Sequence, residues 1–475
     1  MAEMVAFAGY ILCLSIYRLF LSPIAGVPGP RIAALTAWYE FWWDCPKQGH
    51  FMFKIREMHD RYGPVVRINP WEVHIDDPLY FDTLYSNNRL DKDAWYYRAF
   101  GSNGAAVGTA SADLHRARRG AMAKFFSAAN VAKLEPKVLA RVQKLCDRIE
   151  EHRKEGKVID ISNAYRCLAT DVISDYAAPH TRDFLGTPDF SASFNRVLRD
   201  FSELMLWHRH FPIVFPVMTS IPRSVIAKMD PTGANVAVID NQAHLQLAPP
   251  FSPDKTVTRI LDEAQAILGA GTETTGNTLS VFTYHVLSNP SILSKLKSEL
   301  STAAGGGNAP SLLDSRTLEQ LPYLGACIKE ALRIGTGVSG RLPRLNPSAA
   351  MSYTTPEGQT YVFPPGTVVS MSARDLHFNA GIFTNPTAFA PGRWLESSAE
   401  RLARMNKAYV PFGRGARACV GLELAKEELL LTTGNLFRRF DLELWETTEW
   451  DVSVQHDYFA PFGPKESKGV RVLAK

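Results

Sequence analysis

Residues Phe412–Gly421 read FGRGARACVG, and the reading of this stretch governs that of the rest of the chain. A lone cysteine, Cys419, closes a glycine-rich loop where a helix opens at Val420-Gly421-Leu422-Glu423-Leu424-Ala425. A thiolate near a helix N-terminus is favoured by the dipole, and Arg414 and Arg417 stand beside it in the sequence. Gly413, Gly415 and Gly421 omit side chains, so a flat ring system can approach the backbone closely.

Upstream, residues 253–287 keep a helical apolar period through Ile260, Leu261, Ala264, Ile267 and Leu268. Ser252 is the expected N-cap, with Pro253 in the first helical position, and Asn289-Pro290 ends the helix. In its middle stands Ala270-Gly271-Thr272-Glu273-Thr274-Thr275. Glycine and paired hydroxyls weaken a helix there, which predicts a local kink. Positions 267, 270, 271, 274 and 278 share one face. A further helix, 315–334, carries Glu330 and Arg333 on one side. Alone that pair reads as a solvated surface bridge. Phe389-Ala390-Pro391-Gly392-Arg393-Trp394 follows downstream, and His115 and Arg119 lie one turn apart in LHRARRGAMAKFFS.

Together these segments resemble the cytochrome P-450 family. Residues 412–421 match its cysteine loop, F-x-x-G-x-R-x-C-x-G, at every fixed position. The resemblance implies a mainly α fold with a minor β-sheet region: a single large catalytic domain behind an N-terminal membrane helix. It also implies haem b, with Cys419 as the axial ligand of the iron and Phe412 packed near the sulfur. Arg417, His115, Arg119 and Arg344 would hold haem propionates, with Arg341 a rival to Arg344 and His115 replacing the commoner Trp. Gly271 would lie at the haem, where the family's helix bulges. Glu273 and Thr274 would form an acid–alcohol proton relay. Glu330, Arg333 and Arg393 would form a buried charge cluster that supports the cysteine loop. Residues 230–255 lack the helical periodicity usual in the family.

Composition agrees with one large globular enzyme: 46% apolar and 21% charged residues leave ample material for a core. A net charge of +4 without a clustered basic stripe excludes a nucleic-acid binder. The six cysteines show no paired spacing, so neither a disulfide framework nor a zinc site is expected. Met4 to Leu21 is apolar apart from Arg18. Its helical length of about 27 Å suffices to span a bilayer if Arg18 snorkels. No basic segment precedes it and no small-residue cleavage site follows, so it reads as a signal anchor over residues 1–22. Residues 23–50 read as a Pro-rich hinge and membrane-proximal segment, and 51–475 as the catalytic domain. Arg18 and Arg31 place that domain in the cytoplasm, on the endoplasmic reticulum membrane.

The family resemblance, nearest to microsomal enzymes of fungal secondary metabolism, implies a monooxygenase. NADPH–cytochrome P-450 reductase would supply electrons, with cytochrome b5 as an optional second donor. Pocket walls are expected from Trp95–Val107, Phe201–Ile221, Ile267–Thr274, Thr336–Leu342 and Phe459–Pro464. Their apolar and aromatic character favours a lipophilic small-molecule substrate, a terpenoid first. Phe201–Ile221, broken by Pro212 and Pro216, reads equally as buried core or as a membrane-dipped lid. Two other classes stand beside this reading: a haem-thiolate isomerase or dehydratase, against which Glu273 and Thr274 argue, and a non-catalytic haem sensor or carrier.

Overall fold

The structure is a computed structural model that describes residues 1–87, 89–102, 104–177, 183–221, 256–305 and 311–475. Its axis is the long helix Val257–Leu287, with the helix Ile161–Ala177 lying along it. Glycine permits the close approach: a Cβ on Gly276 would sit 2.6 Å from Arg166 Cγ, and one on Gly271 would meet Ile173 at 3.4 Å. Hydroxyls pair across the same seam, Thr170 with Thr272 at 2.9 Å and Tyr165 with Thr283 at 2.7 Å.

The α-helix continues through 270–275 without interruption. Thr274, Thr278 and Ser280 donate to the carbonyls four residues back at 2.7, 2.8 and 2.8 Å. These hydroxyls are therefore satisfied within the helix rather than competing with it. The helix begins later than expected, capped by Thr256, whose hydroxyl accepts the Arg259 N–H at 3.2 Å. Ser252, Pro253 and the irregular stretch 230–255 lie outside the described residues. The helix expected over 315–334 is two, Ser315–Leu318 and Pro322–Gly335. Pro322 takes the first position of the second, where its missing N–H costs nothing.

The main sheet is mixed, in the order Val65–Arg67, Glu72–Ile75, Val368–Ser370, Arg344–Leu345, Asp91–Lys92. Only the pairing of Glu72–Ile75 with Val368–Ser370 is parallel. Val65, Val66 and Arg67 are all buried, so the strand shows no inside–outside alternation. The Arg67 guanidinium donates to the carbonyls of Arg18 and Pro70 at 2.7 and 2.8 Å.

At the N-terminus, Ala2–Ile16 is α-helical and Tyr17–Leu21 continues it as a π-turn. This 20-residue apolar helix has none of its length buried. Arg18 does not snorkel freely: its guanidinium donates to the Leu35 carbonyl at 2.5 Å. Residues 23–50 are likewise no loose hinge. Pro28 accepts from the Arg67 N–H at 2.8 Å, and the helix Trp38–Asp44 buries Glu40 and Asp44 against Arg341 and Arg209.

The stretch 201–221 divides into the end of the helix Ala192–His210 and a second helix, Val214–Ser220. Pro212 falls in the break, whereas Pro216 is accommodated in the first turn. Met205 and Leu206 are buried, while Ile213, Val217 and Met218 are exposed. The segment is core on one face and open on the other.

Candidate active site

The cysteine loop leaves the body at Val410 and turns through Gly413 and Gly415, both at positive φ (+65° and +70°). A side chain at Gly415 would also collide with the Tyr85 carbonyl, 2.4 Å from an added Cβ. The Cys419 N–H donates to the Phe412 carbonyl at 2.8 Å, and Gly421 caps the helix Leu422–Arg439. Cys419 is accessible, although protein surrounds its sulfur on most sides. Burial pushes its thiol up, opposed by the Gly421 N–H and the Arg119 charge. This corrects the sequence expectation. Arg414 pairs instead with Asp82 and with the Asn406 and Lys407 carbonyls. Arg417 donates to the Thr109 and Ala110 carbonyls at 2.9 and 2.7 Å. The cation acting on the sulfur is Arg119.

Beside the sulfur, five basic residues converge: Lys92, His115, Arg119, Arg344 and Arg417. Burial and then Arg417, Lys92, Arg119 and Arg344 push His115 down to about 3. Lys92 falls well below its ordinary range through burial and the charges of Arg344, Arg417 and Arg119. Burial and Arg344 bring Arg417 down to about 10, opposed by Tyr97 and Asp91. Neutral oxygens receive the bonds these groups make: Lys92 Nζ to Val107 O at 2.6 Å, and Arg344 Nη1 to Tyr97 Oη at 3.0 Å. Among the described residues none of the five is ion-paired with a carboxylate. Like charges held together in a low dielectric disfavour one another, so this cradle fits an anionic group. With the open sulfur and the side-chain-free loop, the residues present fit haem with its two carboxylates. Arg341 is not part of the cradle. It is buried between Glu40 and Glu72 at 2.5 and 2.7 Å.

On the long helix, Thr274 Oγ1 donates to Ala270 O at 2.7 Å, and a Cβ on Gly337 would lie 3.7 Å from Thr274 Cβ. Glu273 is not hydrogen-bonded to Thr274. Its carboxylate takes two bonds from Arg166, at 2.8 and 2.7 Å. The open side of Gly271 faces Ile173 on the neighbouring helix. Aromatic pairs join the stretches expected to form pocket walls: Phe100 meets Phe459 edge-on at 4.8 Å, and Phe201 stacks on Phe215 at 5.3 Å. Gly101 abuts the Phe215 ring, 2.3 Å from an added Cβ, so the segment 201–221 closes over the loop 95–107.

Behind the loop, Glu330 and Arg333 are fully buried and bonded at 2.7 and 3.0 Å. Arg393 Nε and Trp394 Nε1 each add a bond to Glu330 at 2.9 Å. Arg333 also donates to the carbonyls of His377, Pro386 and Ala388. Its four charge-assisted partners account for all of its reach, which is what a buried ion network requires.

The family model for cytochrome P450 matches residues 28–244 and 252–463. The chain belongs to the cytochrome P450 family. Among curated relatives, a cytochrome P450 monooxygenase of Ascocoryne sarcoides is 37% identical over 97% of this chain and 96% of its own length. A tryptophan 6-hydroxylase of Fusarium equiseti is 35% identical, covering 97% of this chain and 94% of its own. An N-acetyltryptophan 6-hydroxylase of Emericella nidulans is also 35% identical, covering 96% and 93%. As a P450 monooxygenase this protein is an oxidoreductase with a haem-iron cofactor, drawing electrons from a redox partner and acting on a small molecule.

Sequence reasoning missed three residues that the structure brings to these groups: Lys92 in the cradle, Arg166 on Glu273 and His377 on Arg333. Lys92 sits in LDKDAW, where flanking acids suggest a solvated surface. Arg166 lies in a helix with no motif of its own. Their partners stand far off in sequence, and only the fold brings them together.

Proposed function

We propose that this P450 is a haem b monooxygenase that inserts one oxygen atom from dioxygen into a lipophilic secondary metabolite, a terpenoid first. The observation that carries the reading is the accessible Cys419 beside a basic cradle that no carboxylate among the described residues neutralises. Cys419 is the axial ligand in this reading. Arg417, His115, Arg119, Arg344 and Lys92 hold the propionates, and Phe412 packs near the sulfur. Bound haem supplies the oxygen activation, helped by electron density that a thiolate pushes onto the iron. Thr274 holds a proton donor, and Glu273 supplies it once released from Arg166. Glu330, Arg333 and Arg393 keep the loop in place.

NADPH–cytochrome P-450 reductase would deliver the electrons, with cytochrome b5 as an accessory donor. Residues 1–22 would anchor the chain in the endoplasmic reticulum membrane, with the catalytic domain in the cytoplasm. Two features support the membrane contact. No residue of the anchor helix's apolar window is buried in the protein. Exposed Trp38 meets Phe211 at 6.1 Å, two residues before exposed Ile213.

A second reading is an indole-bearing substrate, favoured by the two tryptophan-hydroxylating relatives and by the stacked Phe201–Phe215 pair. Spin-state titration of the haem protein separates the two, using a panel of terpenoids and N-acyl tryptophans. NADPH oxidation with reductase then follows for each binder. Product formation that needs reductase supports the monooxygenase. Turnover without it would show an isomerase instead. The reduced carbonyl complex of wild type should carry the strongly red-shifted Soret band of thiolate ligation, and Cys419→Ser should lose it.

A further inference from the structure

We propose that His377 is a positioning residue that fixes the register of the cysteine loop through one neutral tautomer of its ring. The proposal rests on Cys419 being the iron ligand, as above. His377 ends the short helix Ala373–His377 and is fully buried. Its Nε2 faces the backbone N–H of Val410 at 3.0 Å. A backbone N–H can only donate, so Nε2 must accept. The ring proton therefore sits on Nδ1, which donates to the Arg333 carbonyl at 3.1 Å. Arg333 answers with an Nη1 bond to the His377 carbonyl at 2.9 Å.

This reciprocal pair closes a gap. The hydrogen bonds of Glu330, Arg333 and Arg393 end on residues 377–394, and none reaches 410–421. His377 is the hydrogen-bonded link between the charge cluster and the loop. From Val410 the connection continues through backbone bonds. The Gly413 N–H donates to the Val410 carbonyl at 3.0 Å, and the Cys419 N–H to the Phe412 carbonyl at 2.8 Å. The turn that aims the sulfur thus begins on a residue whose N–H is held by an imidazole. A second ring proton would set N–H against N–H at Val410. Burial, then the Arg333 charge, keeps that proton off, with the Arg333 carbonyl opposing. The ring also stacks on Tyr409 at 5.8 Å, which restricts its rotation.

Two amides divide the ring's two roles. In His377→Gln the side-chain oxygen can reach the Nε2 position and accept from Val410. In His377→Asn the amide reaches only the Nδ1 position, so the Val410 bond is lost while the Arg333 bond is kept. Haem content, melting temperature, the reduced carbonyl spectrum and the haem reduction potential are measured on the full-length haem proteins. The Gln variant should keep the thiolate-type band and the wild-type potential. The Asn variant should still take up haem, with the thiolate-type fraction reduced severalfold and the potential moved. Two results would overturn the proposal: an Asn variant with the wild-type band, or both variants losing haem and melting temperature together while the remaining haem stays thiolate-ligated. A wild-type protein without the thiolate band would instead remove the ligand assignment on which the proposal stands.

Discussion

Arg166 grips Glu273 at two points, Nε to one carboxylate oxygen at 2.8 Å and Nη2 to the other at 2.7 Å. The pair joins two helices and commits the acid to Arg166 rather than to Thr274. Glu273 can feed protons toward Thr274 only when the guanidinium yields it. Arg166→Leu leaves a largely buried carboxylate without its partner, a change expected to cost about 3–5 kcal/mol, less where water reaches the site. Arg166→Leu/Glu273→Leu should recover much of that loss, because both charges are then gone. Urea unfolding of the two single variants and the double variant measures the coupling. A double variant as unstable as the sum of the singles would show that the two residues do not act as a pair.

The basic cradle predicts a change that is felt only when haem is bound. Lys92 is buried among Arg344, Arg417 and Arg119, with no carboxylate partner among the described residues. Without haem its ammonium gains little from the fold, so Lys92→Met should leave the apoprotein as stable as wild type, within ~1 kcal/mol. With haem bound, the same change removes a propionate partner, and haem should transfer to apomyoglobin severalfold faster. Apoprotein melting and the transfer rate are the two measurements. Destabilised apoprotein with unchanged haem release would make Lys92 an ordinary structural residue.

His285 predicts an acid dependence. Burial lowers its folded pKa to about 4, Glu330 opposes the shift, and Arg333 assists it; the ring stacks on Phe389 at 5.0 Å. The unfolded ring titrates near ~6.5. Between these values the unfolded chain binds the proton and the folded one does not. Stability is therefore present above the unfolded value and lost as pH falls toward the folded one, at roughly 1.4 kcal/mol per pH unit. His285→Phe keeps the stack and removes the titration. Its unfolding free energy should match wild type at pH ~8 and exceed it by about 2–3 kcal/mol at pH ~4.5. Parallel curves for the two proteins across that range would exclude His285 as the source.

What the sequence made legible was local. The cysteine loop packs its chemistry into ten consecutive residues, so Cys419, Arg417 and the glycines could be read directly. Glu330 and Arg333 are one helical turn apart, and their segment with Arg393 was recognisable by pattern. Arg166 meets Glu273 across 107 positions, and Arg341 meets Glu72 across 269. No period or spacing encodes such contacts. The choice between Arg341 and Arg344 therefore needed the fold, which commits Arg341 to Glu40 and Glu72 and leaves Arg344 in the cradle. Arg414 was misassigned to the sulfur because adjacency in sequence says nothing of side-chain direction, and its guanidinium turns to Asp82.

Thr274→Ala separates an oxygenase from the other haem-thiolate roles. Its hydroxyl now donates to Ala270 O at 2.7 Å, with Gly337 opposite, so both hydroxyl lone pairs stay open to a proton-bearing group. Alanine removes the hydroxyl and a methyl without adding bulk. Alanine is the better helix former, and the bond lost is a back-bond within the helix, so the stability change should stay within about 1 kcal/mol. Haem content, substrate-induced spin shift and NADPH oxidation should stay close to wild type. If Thr274 positions the proton donor, the partition of electrons should change: oxygenated product per NADPH should fall severalfold and hydrogen peroxide should rise to balance it. A purely structural effect would lower haem content and leave that ratio unchanged. Product formed and peroxide released per NADPH oxidised, compared between wild type and variant, decide the matter. An unchanged ratio would take Thr274 out of the mechanism and favour the isomerase reading, in which no proton need reach dioxygen.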